Sequence, residues 1–274
     1  MIIASRKKRP YIYAFIICIG FAFLLSMLNN LPDSFYFAGA FALYPVLLFE
    51  LYSTNFYGSK VLQQFGLPAL DDGTTLTNVI HHLILPTFSY FGIVMFLYFN
   101  NHPYLNSLWL VLIFLLFALL FSNIRAHYED KYKLEEMTNY IYDILAILIC
   151  FMTADGIVNS CRYSGLSTGY AAVLLTVLIF ILSVLTLLRY SIFKLAALKV
   201  LLVFLLIVFV LNFALLSFNI TALGVSTLNS LLIYYQIAFL NHKRDGSVTK
   251  DVLVEYIVVF LILIVILFGS SFSF

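Results

Sequence analysis

The sequence predicts an all-α protein, a polytopic bundle of about nine transmembrane helices with its N-terminus cytoplasmic and its C-terminus outside. Three observations carry this. Of 274 residues, 63% are hydrophobic and only 10% charged, whereas a soluble domain is nearer half apolar and a quarter charged. The apolar residues fall in runs long enough to cross a bilayer. The basic residues fall almost entirely between alternate runs.

The runs are approximately Tyr11–Leu28, Ser34–Ser53, Thr75–Phe99, Tyr104–Phe121, Met137–Val158, Thr168–Leu188, Leu195–Leu216, Ile220–Leu240 and Val252–Phe268. A crossing helix needs about 20 apolar residues for a core roughly 30 Å thick. With the N-terminus cytoplasmic, 14 of the 15 basic residues lie inside and Arg162 alone lies outside. Miscounting one internal helix would scramble that partition. The first run follows Arg6–Arg9, but it is longer than a usual signal-peptide core and Ser26-Met-Leu is no small-x-small site, so it reads as a retained anchor.

The chain reads as a single integral membrane domain, 1–274, with a basic cytoplasmic N-terminus over 1–10 and main cytoplasmic loops at 54–74 and 123–136. The outer turns Asn29–Asp33, Asn100–Pro103 and Ser217–Asn219 are short and rich in turn formers. Val61–Leu67 reads equally as a surface-lying amphipathic piece or a solvated loop. The charged 123–136 stretch reads as an extension of the fourth or fifth helix. The 28 Phe and 19 Tyr suit a lipid-facing surface and the bilayer interface respectively. A soluble enzyme, a disordered chain and a nucleic-acid binder are excluded by this composition and by a net charge of only +2.

Ionisable side chains inside a membrane mark functional sites by default. Here they are Glu50 near the end of the second span, His81 and His82 in the third, Asp143 in the fifth and Glu255 in the ninth. All five fall within roughly two helical turns of the cytoplasmic interface at 1.5 Å rise per residue. Three polar stripes accompany them. Asn78, His82 and Ser89 share one face of the third span, Asn139, Asp143 and Cys150 one face of the fifth, and Ser226, Asn229 and Gln236 one face of the eighth. Such stripes should face protein, because lipid offers no hydrogen-bond partner. The first, seventh and ninth spans lack them and belong nearer the rim. Pro86 and Pro45 each remove a helical N–H and can kink their spans.

The functional reading joins His81 or His82 to Asp143, with Glu50 or Glu255 nearby, as a cation or proton site. His82 and Asp143 sit at matching depth, so a direct pair needs only neighbouring helices. The competing reading has these groups bonding interfacial water or separate helices, and their shallow depth favours it. Neighbouring histidines on a helix point about 100° apart, which weakens a shared metal site. Whether a metal binds stays open, and no cofactor is implied. Cys18, Cys150 and Cys161 show no metal-binding spacing. No P-loop, GxSxG or HExxH occurs. Glu135-Glu136 lacks the following Arg and the later helix histidines of an intramembrane CAAX-type protease.

Two stretches carry a resemblance. Ser122-Asn-Ile through Asp143, and Phe239-Leu-Asn-His-Lys-Arg with Lys250-Asp-Val-Leu-Val-Glu-Tyr-Ile-Val-Val, resemble an uncharacterised multi-pass membrane protein family of uncultured, small-genome bacteria. That family's pattern has a longer Arg-containing stretch after the fourth span, where this chain is acidic and Tyr-rich. The resemblance implies a prokaryotic inner membrane and no particular chemistry. The function classes left are a non-enzymatic scaffold or membrane-complex subunit, which heads the order, then a small ion- or proton-coupled transporter or channel, and last an intramembrane metal-dependent enzyme. The partners implied are the lipid bilayer and other membrane proteins, not nucleic acid.

Overall fold

The computed structural model describes the backbone of residues 2–28, 30–64, 72–102, 104–129, 135–189 and 195–244, and seven positions between 254 and 265. Side chains are described over 8–28, 30–51, 84–102, 104–124, 141–188 and 199–243, and at those same seven positions. Among the described residues every regular element is a helix. The order is α1 (Ile2–Leu28), α2 (Asp33–Gln64), α3 (Asp72–Phe99), α4 (Asn106–Glu129), α5 (Glu135–Tyr163), α6 (Thr168–Arg189), α7 (Leu195–Ser217) and α8 (Ala222–Arg244). Seven contain a described stretch long and apolar enough to cross a membrane; in α3 the corresponding stretch, Ile84–Phe99, is shorter. Helices are the expected solution, because each satisfies its own backbone where no water can.

The helices extend past the apolar runs. α2 continues to Gln64 and α3 starts at Asp72, so the loop expected over 54–74 shrinks at both ends. Hydropathy marks where a chain leaves hydrocarbon, not where its helix stops, and 54–64 contains no proline. Likewise α4 reaches Glu129 and α5 begins at Glu135, consistent with the 123–136 stretch extending those helices.

The chain divides into two compact units, Met1–Leu145 and Ala146–Phe274. In the first, α1 packs along both α2 and α4, and α3 closes against α2 and α4. Glycine permits the α1–α2 approach: a Cβ at Gly20 would overlap the Leu43 side chain, and one at Gly39 the Leu24 side chain. Ala14, Ile17, Phe21 and Leu24 face inward, while Tyr11, Phe15, Ile19 and Phe23 are exposed. Exposed apolar faces of this extent suit lipid, since soluble monomers rarely carry them.

The α2–α3 contact is built from aromatic rings. The Tyr36 hydroxyl donates to the Val94 carbonyl at 2.8 Å, and the Tyr90 hydroxyl donates to the Ala40 carbonyl at 2.6 Å. Tyr44 Oη and Thr87 Oγ1 are 3.1 Å apart, which continues the same antiparallel register. Phe37 meets Tyr98 at 4.9 Å and Tyr44 meets Phe91 at 5.2 Å between ring centroids. Tyr36 and Tyr90 are fully buried, so these tyrosines are not the interface residues that composition suggested. Burial works because each hydroxyl finds a backbone acceptor.

In the second unit α6 packs along α7, and α8 contacts both. Leu187, Leu201 and Leu240 form a small core there, with Phe204 packed on it. The turns at the ends of α5 and α7 are alike. Gly165 (φ 65°) and Asn219 (φ 54°) both adopt the left-handed conformation. Leu166 N–H donates to the Cys161 carbonyl and Ile220 N–H to the Leu215 carbonyl, while Gly165 and Asn219 donate to Arg162 and Leu216. This is the Schellman pattern, which satisfies the last carbonyls of a helix. Thr221 then caps α8, its Oγ1 accepting Gly224 N–H at 3.2 Å.

Candidate functional site

Polar chemistry in the first unit centres on Glu50. It lies at the end of α2's apolar stretch and is 1% exposed. The Arg9 Nε of α1 is 3.2 Å from Glu50 Oε2. Arg9 also lies 5.4 Å from the centroid of the Tyr13 ring and donates to the Tyr13 hydroxyl at 3.4 Å. Tyr13 in turn stands beside Phe49, 6.2 Å between centroids. The buried carboxylate is therefore matched to a cation whose guanidinium stands beside an aromatic ring and its hydroxyl. Sequence reasoning gave Arg9 only to the basic N-terminus. The clue was available, because a carboxylate in hydrocarbon needs a partner and Arg9 sits one turn before the first span's apolar core.

Asp143 is buried in α5, 5% exposed. The backbones of Asn78, His81 and His82 lie on α3 and that of Asn139 on α5, but these side chains are outside the described residues, as is Glu255 altogether. The expected His82–Asp143 pair therefore lies outside them too. Among the described residues no three of His, Cys, Asp or Glu gather as a metal site would need. Ser89 is buried and donates to the Leu85 carbonyl of its own helix at 2.7 Å.

The eighth-span stripe, on α8, is fully described. Asn229 is wholly buried and exchanges two hydrogen bonds with Asn212 of α7: Asn212 Nδ2 to Asn229 Oδ1 at 3.0 Å, and Asn229 Nδ2 to Asn212 Oδ1 at 2.8 Å. Asn229 Nδ2 also reaches the Val225 carbonyl at 2.8 Å. Gln236 Oε1 accepts from Ser183 Oγ of α6 at 2.6 Å. Ser226 and Ser230 donate to the backbone of α8 itself. Ser230 also hydrogen-bonds Cys150 of α5. At the end of α5, Arg162 donates to the Ile220 carbonyl at 2.5 Å, which ties α5 to the turn before α8.

The sequence pattern singles out neither Asn212 nor Ser183, and it places Asp155 in the outer leaflet, away from the other ionisable groups. Asn212 stands in the most apolar helix, and one amide in such a run must find a partner. Asp155 of α5 is wholly buried and accepts from Asn159 Nδ2 at 3.0 Å.

Chemically, these groups hold helices together. Each of these pairs joins a donor to an acceptor on a neighbouring helix or within the same helix. Among the described residues none of them combines a nucleophile with a base. Compared with protein-family models, curated proteins and solved structures, the chain finds no match.

Proposed function

We propose that this is a nine-span protein of a prokaryotic inner membrane, N-terminus cytoplasmic, acting as a non-enzymatic scaffold or as a subunit of a membrane complex. Kinship with the uncharacterised bacterial family is part of the same proposal. The ninth span would be Val252–Phe268, whose seven described positions are helical and exposed. The observation that supports the scaffold reading is the use made of buried polar groups. Asn212 with Asn229, Ser183 with Gln236 and Arg9 with Glu50 bond one another across helix contacts. A transport route instead needs polar groups turned to water or substrate near the midplane. Interhelical hydrogen bonds of this kind fix register and partner choice within a membrane.

A second reading, a proton- or ion-coupled transporter, draws support from the deep burial of Glu50 and Asp155. Two measurements separate them. Extraction of native membranes in mild detergent should yield a complex with a membrane protein partner in fixed ratio. Proteoliposomes of the purified chain should show no proton or alkali-cation flux. Flux that Glu50→Gln or Asp155→Asn abolishes would overturn the scaffold reading.

A further inference from the structure

We infer that the Lys199–Ile207 face of α7 is a binding groove for one anionic phospholipid, with the headgroup on Lys199 and an acyl chain along Val200, Val203 and Ile207. A shallow, open hollow of about 410 Å³ lies along this face, lined by Lys199, Val200, Val203, Phe204 and Ile207, all of α7. Lys199, Val203 and Ile207 are spaced four apart and so lie on one face, about 12 Å long at 1.5 Å per residue. Phe204, the half-buried residue of the five, is packed against the Leu187, Leu201 and Leu240 core. Val200, Val203 and Ile207 are 71%, 61% and 60% exposed. Every lining side chain but one is apolar, and the exception stands at the end of the groove where α7's apolar stretch begins, Lys199–Ser217. An amphiphile has this same order of parts: one charge, then a hydrocarbon chain.

The sign of the charge follows from the sequence. No Asp or Glu occurs from Gly156 to Arg244, while Arg189 ends α6, Lys194 immediately precedes α7 and Lys199 is the fifth residue of α7. A headgroup at Lys199 therefore meets a lysine set in a stretch of sequence without acidic residues, and anionic lipid gains about 1 kcal/mol per basic residue near the surface, or roughly fivefold. A long lysine stem reaching for the headgroup level is the geometry expected of that side chain.

The inference rests on the bilayer-spanning part of the proposal and not on the scaffold reading. The test is native mass spectrometry of the full chain in detergent, with phosphatidylglycerol or phosphatidylcholine of identical acyl chains added. The wild-type chain should retain phosphatidylglycerol about fivefold better. Lys199→Gln should reduce that retention to the phosphatidylcholine level, and Lys199→Arg should preserve it. Val203→Trp, which fills the groove from an exposed position, should lower retention of both lipids. Lys243→Gln, an exposed lysine outside the groove, should change nothing. Equal retention of the two lipids by the wild-type chain, an equal loss with Lys243→Gln, or full retention with Val203→Trp would each overturn the site. Release of the chain from membranes by alkaline carbonate would instead overturn the bilayer reading beneath it.

Discussion

Asn212 and Asn229 form a closed amide pair across the α7–α8 contact, each donating to the other at 3.0 and 2.8 Å, with both side chains fully buried. In hydrocarbon a broken pair finds no water. Asn212→Leu should therefore destabilise the second unit by about 1–2 kcal/mol, at the upper end for interhelical bonds in membranes. The double change Asn212→Leu, Asn229→Leu should recover most of that loss, because no polar group is then stranded. Detergent-micelle unfolding of the four chains of the cycle gives the coupling; additive losses would show that the pair does not act as a unit.

Glu50 makes the reverse point about charge. Arg9→Met leaves a buried carboxylate without its cation, and should cost about 3 kcal/mol. Arg9→Met with Glu50→Leu should be far milder than Arg9→Met alone. The same unfolding measurement decides it, and equal losses would mean that Arg9 contributes packing rather than charge.

The tyrosine contact predicts small, paired effects. Tyr36→Phe and Tyr90→Phe each remove one hydroxyl-to-carbonyl bond between α2 and α3, and each should cost about 0.5–1.5 kcal/mol. Tyr170→Phe, at an exposed tyrosine of α6, should cost nothing measurable.

Close approach of α1 and α2 sets a steric limit. Gly20→Val or Gly39→Val drives new atoms into Leu43 or Leu24 and should cost about 1–3 kcal/mol by overpacking. Pairing Gly20→Val with Leu43→Ala should restore part of the loss. No rescue would locate the strain in the backbone instead.

The proposed threading has its own test. Reporter fusions at Lys131 and Lys243 should read as cytoplasmic, and those at Arg162 and the C-terminus as external. A cytoplasmic C-terminus would make the span count even.

Much of the helical architecture was legible in the chain because each apolar run must satisfy its backbone internally, which leaves few alternatives. The stripe on α8 was equally legible: Asn229 and Gln236 repeat on one face, and period alone reveals a face. Their partners were not. Asn212 and Ser183 are single polar residues without periodicity, and pairing across helices depends on packing angles that no one-dimensional pattern contains. The same holds for Tyr36 and Tyr90. Composition gives tyrosine an interfacial preference, yet a carbonyl on the opposite helix satisfies the hydroxyl as well as water would. Arg9 shows a third limit. Charge counting assigned it to topology and so concealed its side-chain partner, Glu50.

The packing of α1 has a consequence for how the chain is made. α1 lies against α4 as well as α2, and the Cys18 thiol donates to the Leu110 carbonyl at 3.4 Å. α2 follows α1 at once, but α4 begins only at Asn106. At 5–20 residues per second, translation leaves one side of α1 waiting roughly 5–15 s for its second neighbour. During that interval the side of α1 that carries Cys18 must rest against lipid or an insertion factor. Nascent chains stalled before residue 106 should therefore crosslink through this side of α1 to whatever holds it, and chains stalled after the whole of α4 has left the ribosome should not.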